Sequence, residues 1–127
     1  RTKSWARLQV ERLLVERMHR YENGKIAVAR VSLSLLDEAG ATEEDMEDIA
    51  AFLGQIEGVE TSVTIREKKD NRCKLSVRTS GGLNATKVCA LLGGGGHAAA
   101  AGCTVDGTLD DAETAILDAI RQVEAHG

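Results

Sequence analysis

The 127-residue chain contains no proline and only three aromatic residues, Trp5, Tyr21 and Phe52. We therefore do not expect an aromatic platform on which single-stranded bases stack, as in RNA-recognition or oligonucleotide-binding barrels. Cationic residues are also in deficit, because 16 Lys and Arg against 20 Asp and Glu leave a net charge of −4. Sequence-independent affinity for DNA needs a basic face with many phosphate contacts, so this composition argues against it.

Targeting and redox signals are missing as well. No apolar run approaches the length of a membrane span, and the first 25 residues are too charged for a signal peptide. Cys73, Cys89 and Cys103 are odd in number and lack CxxC spacing, which predicts packed thiols in a reducing, cytoplasmic setting. His19 and His126 show no metal-ligand spacing with them, so we expect no metal site in this chain.

The composition fits one soluble domain over residues 1–127, with 43% apolar and 28% charged residues and no linker or repeat. The chain begins with Arg1 rather than Met, which leaves open that it is a piece of a longer protein. Periodicity in the first half predicts a helix over residues 4–15. The Asn23-Gly24 pair predicts a type I′ hairpin between strands near 15–21 and 25–32. Thr42 begins a predicted helix that ends at Gly58.

The second half predicts another hairpin, because residues 59–66 alternate as in a half-buried strand and a return strand follows the Asp70-Asn71 turn. Asn84 is expected to cap a helix over 85–92, and Thr108 to cap a terminal helix. A short strand is predicted over 103–105. Hairpins mixed with helices predict an α+β fold with a mixed central sheet.

Four consecutive glycines, Gly93 to Gly96, precede His97. Such a run is unfavourable in helices and strands, but it offers bare backbone amides that cradle a phosphate or carboxylate. His97 is placed to donate a hydrogen bond to the same anion, or to a base or sugar. The alternative is a mobile loop with an incidental histidine, and composition alone favours neither interpretation. No Lys-Ser or Lys-Thr follows the glycines, which excludes a Walker A loop.

The segment from residue 66 to residue 87 is basic within an acidic protein. It holds seven cations (Arg66, Lys68, Lys69, Arg72, Lys74, Arg78 and Lys87) against Glu67 and Asp70. Lys68, Lys69 and Arg72 are expected to solvate the hairpin and discourage edge pairing. Arg78 ends the return strand on its non-core face, where a guanidinium can clamp a phosphate with two hydrogen bonds. No paired carboxylates or Ser-His-Asp set accompany it, so the segment is equipped to bind an anion and not to hydrolyse it.

The order Arg78-Thr79-Ser80, a capped helix, then Gly-Gly-Gly-Gly-His-x-x-Ala-Ala-Gly at 93–102 resembles a known domain. It is similar to the C-terminal substrate-binding domain of DHH-family phosphoesterases, the DHH-associated type-1 domain. The resemblance covers nearly the whole chain, with residues 1–20 either the start of the domain or inter-domain linker. Within that family the chain looks most like the RecJ-like oligoribonucleases, also called nanoRNases.

The resemblance implies a hydrolase whose substrates are very short RNA, linear or cyclic dinucleotides, or 3′-phosphoadenosine 5′-phosphate. Two Mn²⁺ ions held by an N-terminal Asp-His-His domain would activate the attacking water. The C-terminal domain would hold the far end of the substrate. Carried over to this chain, its substrate-binding residues are Arg78, Gly93, Gly94, Gly95, Gly96 and His97.

The chain departs from that pattern in one decisive respect, because it contains no Asp-His-His. The catalytic domain and its Mn²⁺ are therefore expected outside this sequence, and the chain is expected to bind nucleotide weakly and hydrolyse nothing. Ala99 stands where many relatives have a basic or bulkier residue. The resemblance leaves a homodimer open.

Two other functions are weighed against this one. A related domain closes alanyl-tRNA synthetases and binds tRNA, but His97 directly after four glycines favours the phosphoesterase. The third possibility is an interaction module without a ligand, in which the glycine run is only a tight connection.

Overall fold

The computed structural model describes residues 2–126 as one six-stranded mixed sheet with helices on both faces, which confirms the predicted α+β fold. The α-helices are α1 (Trp5–Arg17), α2 (Leu33–Ala39), α3 (Ile49–Phe52), α4 (Ala85–Ala90) and α5 (Leu109–His126). Two 3-10 turns, Glu43–Met46 and Leu53–Gln55, flank α3. The strands are β1 (His19–Tyr21), β2 (Ile26–Val31), β3 (Thr61–Glu67), β4 (Arg72–Thr79), β5 (Gly95–His97) and β6 (Ala100–Asp106).

The strand order across the sheet is β1-β2-β3-β4-β6-β5. Strands β2 and β3 pair in parallel, and the other neighbouring strands pair antiparallel. The parallel pair is connected by residues 32–60, which contain α2, α3 and both 3-10 turns. None of the helices in residues 2–126 is long and apolar enough to cross a membrane.

Two hydrophobic cores lie on opposite faces of the sheet. Helices α4 and α5 bury the first face, where Val63, Leu75 and Val77 are fully buried. All three cysteines are free and buried in this core, as predicted. Helices α1, α2 and α3 lie chiefly over β2 and β3 on the second face, and α3 also contacts β4. Strand β3 is therefore buried on both faces, and the prediction of a half-buried strand was wrong.

The first predicted hairpin forms, with a loop over residues 22–25. Asn23 and Gly24 both have positive φ, and the Lys25 N–H donates to the Glu22 carbonyl at 3.2 Å, which confirms the predicted Asn-Gly turn. A second turn overlaps it, because Glu22 also has positive φ and the Gly24 N–H donates to the Tyr21 carbonyl at 3.0 Å. The strand predicted over 15–21 was wrong in its first part, because α1 continues to Arg17 and packs its buried side chains into the second core.

The helix predicted from Thr42 to Gly58 was also wrong as a single element. Asp48 adopts a left-handed conformation (φ 56°, ψ 22°) and separates the first 3-10 turn from α3. A short polar side chain tolerates that conformation better than most. Met46, Ile49 and Leu53, which the sequence placed on one apolar face, are nevertheless buried in the second core.

The caps predicted for the later helices are confirmed. The Asn84 side chain accepts a hydrogen bond from the Lys87 N–H, and the Thr108 hydroxyl accepts one from the Asp111 N–H at 3.1 Å. Helix α4 ends two residues earlier than predicted, at Ala90. Strand β6 runs from Ala100 to Asp106 and is longer than the strand expected over 103–105.

A buried carboxylate joins β1 and β2 to α5. Glu113 is 6% exposed and accepts hydrogen bonds from His19 at 2.7 Å, from the Tyr21 hydroxyl and from Arg30 at 3.1 Å. The hydrogen bond to Glu113 raises the pKa of Tyr21 to about 12. Burial opposes ionisation of Glu113, but the three donors outweigh it and lower its pKa.

Candidate functional site

The glycine run is not an open loop. Gly93 has a φ of +81° and, with Gly94, donates hydrogen bonds to the Ala90 and Cys89 carbonyls that end α4. Residues Gly95–His97 then form the edge strand β5, paired antiparallel with β6. The glycine-rich loop expected from the sequence is therefore not present as one continuous loop. Half of the run ends a helix and the other half is strand.

Close packing requires glycine at some positions of the run and not at others. A Cβ on Gly94 would lie 2.1 Å from the Gly102 carbonyl oxygen, and a Cβ on Gly96 would lie 2.7 Å from the Ala100 carbonyl oxygen. These two positions need glycine because β6 passes too close for any side chain. A Cβ on Gly95 meets nothing within 4 Å. Packing therefore does not require glycine at position 95, although the backbone there carries no side chain.

Arg78 and His97 lie in one row across the sheet. Arg78 pairs with Ala100 across β4–β6, and Ala100 pairs with His97 across β6–β5. Directly paired residues project to the same face, so the guanidinium and the imidazole share the second face. Two strand spacings separate their backbones by about 10 Å. The structure thus brings together the two side chains that the sequence singled out.

The neighbouring row carries almost no side chain. Ser76 pairs with Gly102 across β4–β6, and Gly102 pairs with Gly95 across β5–β6. This row lies on the same face as Arg78 and His97, because the paired positions differ by two residues along each strand. We call the Ser76–Gly102–Gly95 row the bare floor. A flat ligand can approach the backbone here with the Arg78–His97 row at its side.

Arg78 also borders a groove at the end of β4. The groove has a volume of about 350 Å³, and its lining includes Gly54, Gln55, Ser62 and Ala99. Ser62 is directly opposite Arg78 on β3, and its buried hydroxyl has no hydrogen-bond partner among residues 2–126. Within the same residues the guanidinium of Arg78 forms no ion pair. A free cation beside an unsatisfied hydroxyl suits an anionic ligand.

Local hydrogen bonds hold the end of β4 against the segment between β5 and β6. The Thr79 N–H donates to the Ala99 carbonyl at 3.0 Å, and the Thr79 hydroxyl donates to the Ala98 carbonyl at 3.3 Å. The Ala85 N–H, at the start of α4, also donates to Ala98 at 2.7 Å. These bonds fix the row containing Arg78 relative to the segment that carries His97.

Sequence reasoning missed Ser62, whose role depends on a register that no local pattern reveals. Its alternating polar position predicted a solvent-facing side chain, whereas it is 2% exposed. Gly93, Gly94 and Gly96, which the resemblance placed in the site, are explained by helix termination and close strand packing. Within residues 2–126, no group of three or more His, Cys, Asp or Glu is placed to hold a metal ion.

The DHHA1 domain family matches residues 23–125, so the chain belongs to the DHHA1 domain family. This confirms the resemblance drawn from the Arg78 and glycine–histidine segments. The chain is 41% identical over 93 residues to a protein of Thermus thermophilus named bifunctional oligoribonuclease and PAP phosphatase NrnA. That match supports the DHH-family, nanoRNase-type assignment. The aligned part is 72% of this chain and 28% of that protein, so the chain spans under a third of its relative.

Solved structures share the fold. An exopolyphosphatase-related protein from Bacteroides fragilis has a TM-score of 0.85 at 24% identity, over 95% of this chain and 36% of that one. A pGpG-specific phosphodiesterase of Vibrio, PggH, has a TM-score of 0.63 at 18% identity, over 96% and 40%. The C-Ala domain of Aquifex aeolicus alanyl-tRNA synthetase has a TM-score of 0.54 at 14% identity, over 84% and 96%. At these identities the likeness concerns the fold alone.

Proposed function

We propose that this chain is the substrate-holding domain of a DHH-family phosphoesterase that hydrolyses short oligoribonucleotides, dinucleotides or 3′-phosphoadenosine 5′-phosphate. The observation that carries the proposal is that Arg78 and His97 share one row beside the bare floor, on the open part of the second sheet face. The relative named as an oligoribonuclease and PAP phosphatase supports the choice of substrates.

In this proposal the guanidinium of Arg78 binds a phosphate with two hydrogen bonds, and the His97 ring donates a further one. The bare floor receives the sugar or base, because Gly95 and Gly102 have no side chain to obstruct it. The Ser62 hydroxyl gains a partner when an anion or its water occupies the groove.

Bond cleavage is assigned to an N-terminal Asp-His-His domain of the same polypeptide. Mn²⁺ bound there would supply the activated water. The present chain orients the substrate and, alone, is expected to bind nucleotide without hydrolysing it. A cytoplasmic location remains the prediction of the sequence.

An amide NMR titration of the 127-residue chain tests the proposal directly. The ligands are 3′-phosphoadenosine 5′-phosphate and a 5′-phosphorylated diribonucleotide, without metal. We expect saturable shifts at Arg78, Gly95 and His97 that are abolished in Arg78→Ala and retained in the matched surface variant Arg12→Ala. Shifts that persist in Arg78→Ala, or no shifts with either ligand, would contradict it.

A folded tRNA is the discriminating third ligand. Binding of tRNA with no response to the two small nucleotides would favour the synthetase-type function, whose fold the chain shares.

In the full-length enzyme, His97→Ala is expected to lower dinucleotide hydrolysis by at least tenfold, as removal of a charge-assisted hydrogen bond does. The thermal midpoint should be unchanged, because the His97 side chain is exposed. Equal loss of activity and stability would refute the assigned role.

A further inference from the structure

The open part of the second sheet face carries a second cationic cluster, at the end of β4 away from Arg78. In the strand register, Arg66 on β3 lies directly opposite Lys74 on β4, and Lys74 lies directly opposite Thr104 on β6. Lys74 and Arg78 are four residues apart on β4, so they project to the same face about 13 Å apart. A cavity of about 450 Å³ opens there beside the β3–β4 turn. Its lining consists of Lys68, Lys69, Asp70, Arg72, Lys74 and Thr104.

The cations of this cluster are only partly neutralised. Arg72 is paired with Asp70 at 2.5 Å, and Glu43 is shared between Arg66 and Lys68. Among residues 2–126, the ammonium groups of Lys69 and Lys74 form no ion pair with a carboxylate. The lining of the cavity therefore keeps an excess of positive charge, which an anion can neutralise.

The fold holds these like charges close together. The side chain of Lys68 is 34% exposed and so does not extend freely into solvent. Partial burial, and then the charges of Arg66 and Lys74, lower the pKa of Lys68. The sequence predicted that Lys68 solvates the hairpin and discourages edge pairing, and in the structure it also lies close to the charges of Arg66 and Lys74. Cations gathered beside a hydroxyl suit a phosphate, which they neutralise and to which the hydroxyl can donate a hydrogen bond.

We propose that Lys68, Lys69, Lys74 and the Thr104 hydroxyl form a second phosphate-binding site for a nucleotide further along a single-stranded substrate. The inference rests on the proposed function, because the first phosphate is assigned to Arg78 and His97. The bare floor lies between the two sites, so one strand passes from one to the other without meeting a bulky side chain. The substrate class that uses both sites is an oligoribonucleotide of several residues, and a dinucleotide uses only the first.

Affinities of the 127-residue chain for a 5′-phosphorylated diribonucleotide and pentaribonucleotide test this site. We expect the pentanucleotide to bind about tenfold more tightly, and K68A/K74A to remove that advantage while leaving dinucleotide affinity unchanged. The log–log slope of pentanucleotide affinity against salt should weaken in K68A/K74A by about 0.7 for each phosphate that the removed lysines neutralise. The charge-matched variant R12A/K87A, altered on helices α1 and α4, should behave like the parent.

The possible failures separate the two proposals. Equal affinity of the parent chain for both oligonucleotides, or equal weakening of both by K68A/K74A, would overturn the second site alone. Pentanucleotide binding that depends on Lys68 and Lys74 but not on Arg78 would overturn the proposed function and leave the second site standing. Circular dichroism checks that each variant is folded. We expect that it is, because the substituted side chains belong to neither core.

Discussion

The two faces of strand β4 have opposite surroundings. On one face Leu75 and Val77 are fully buried beneath α4 and α5. On the other face Lys74 is exposed, and Ser76 and Arg78 are only half-buried, because the helices of the second core lie chiefly over β2 and β3 and reach β4 only through α3. One packed face is enough to hold a strand in place. The second face is therefore available for a ligand and is still positioned by rigid structure.

The largest expected difference between the faces is in stability. Leu75→Ala creates a cavity in the first core and should lower the free energy of unfolding by about 3–4 kcal/mol. Ser76→Ala, one residue further on the open face, should change it by less than about 0.5 kcal/mol. Urea denaturation of both variants measures this contrast. A comparable loss of stability in Ser76→Ala would mean that the open face is packed in solution.

The glycine run offers a finer comparison within four residues. Gly94→Ala forces a Cβ against the Gly102 carbonyl and should cost about 2–3 kcal/mol of stability, because backbone on both sides must shift. Gly95→Ala has open space and should change stability by less than about 0.5 kcal/mol. It should nevertheless weaken nucleotide binding, since the new methyl group stands on the bare floor. Thermal unfolding and the nucleotide titration together test both statements.

The smallest of the three effects concerns the carboxylate that joins β1 and β2 to α5. Glu113→Gln should lower the free energy of unfolding by about 2 kcal/mol at pH 7, because it removes the charge that His19, Tyr21 and Arg30 surround. Since folding lowers the pKa of Glu113, its contribution is complete above the ordinary value of 4.5 and is lost as the pH falls towards the folded pKa.

The difference between Glu113→Gln and the parent chain should therefore shrink as the pH falls below about 4.5. Urea denaturation from pH 7 to pH 3 measures it. A difference that stays constant over this range would show that ionisation of Glu113 contributes nothing. Asp118→Asn, an exposed carboxylate on the same helix, is the control and should have little effect at any pH.

Local chemistry made much of the fold predictable. Asn84 and Thr108 cap helices because their side chains satisfy nearby N–H groups, which any sequence context permits. The alternation before and after Asp70-Asn71 predicted the β3–β4 hairpin, since a short turn fixes its register. Arg78 was placed on the non-core face by the same alternation, which is why the candidate site was partly predictable.

The parts that could not be predicted depend on contacts between distant residues. Ser62 is buried beside the 3-10 turn Leu53–Gln55, where a Cβ on Gly54 would lie 3.9 Å from its hydroxyl, and no pattern around Ser62 records that contact. Gly95 to His97 become a strand because β6 lies beside them, although glycine disfavours strands. Asp48 interrupts a regular apolar periodicity because the chain must turn between β2 and β3. In each case tertiary structure overrides a local preference.

The parallel pairing of β2 with β3 has a consequence for the order of folding. The β3–β4 hairpin closes across residues 68–71, whereas β2 reaches β3 only after residues 32–60 have been brought into a loop. That loop is nearly three doublings longer, so its closure costs roughly 1.5–2 kcal/mol more entropy. The β3–β4 hairpin should therefore be present in the folding transition state, with β1 and β2 joining afterwards. The strand bearing Arg78 and Lys74 is thus expected to be among the first parts of the molecule to form.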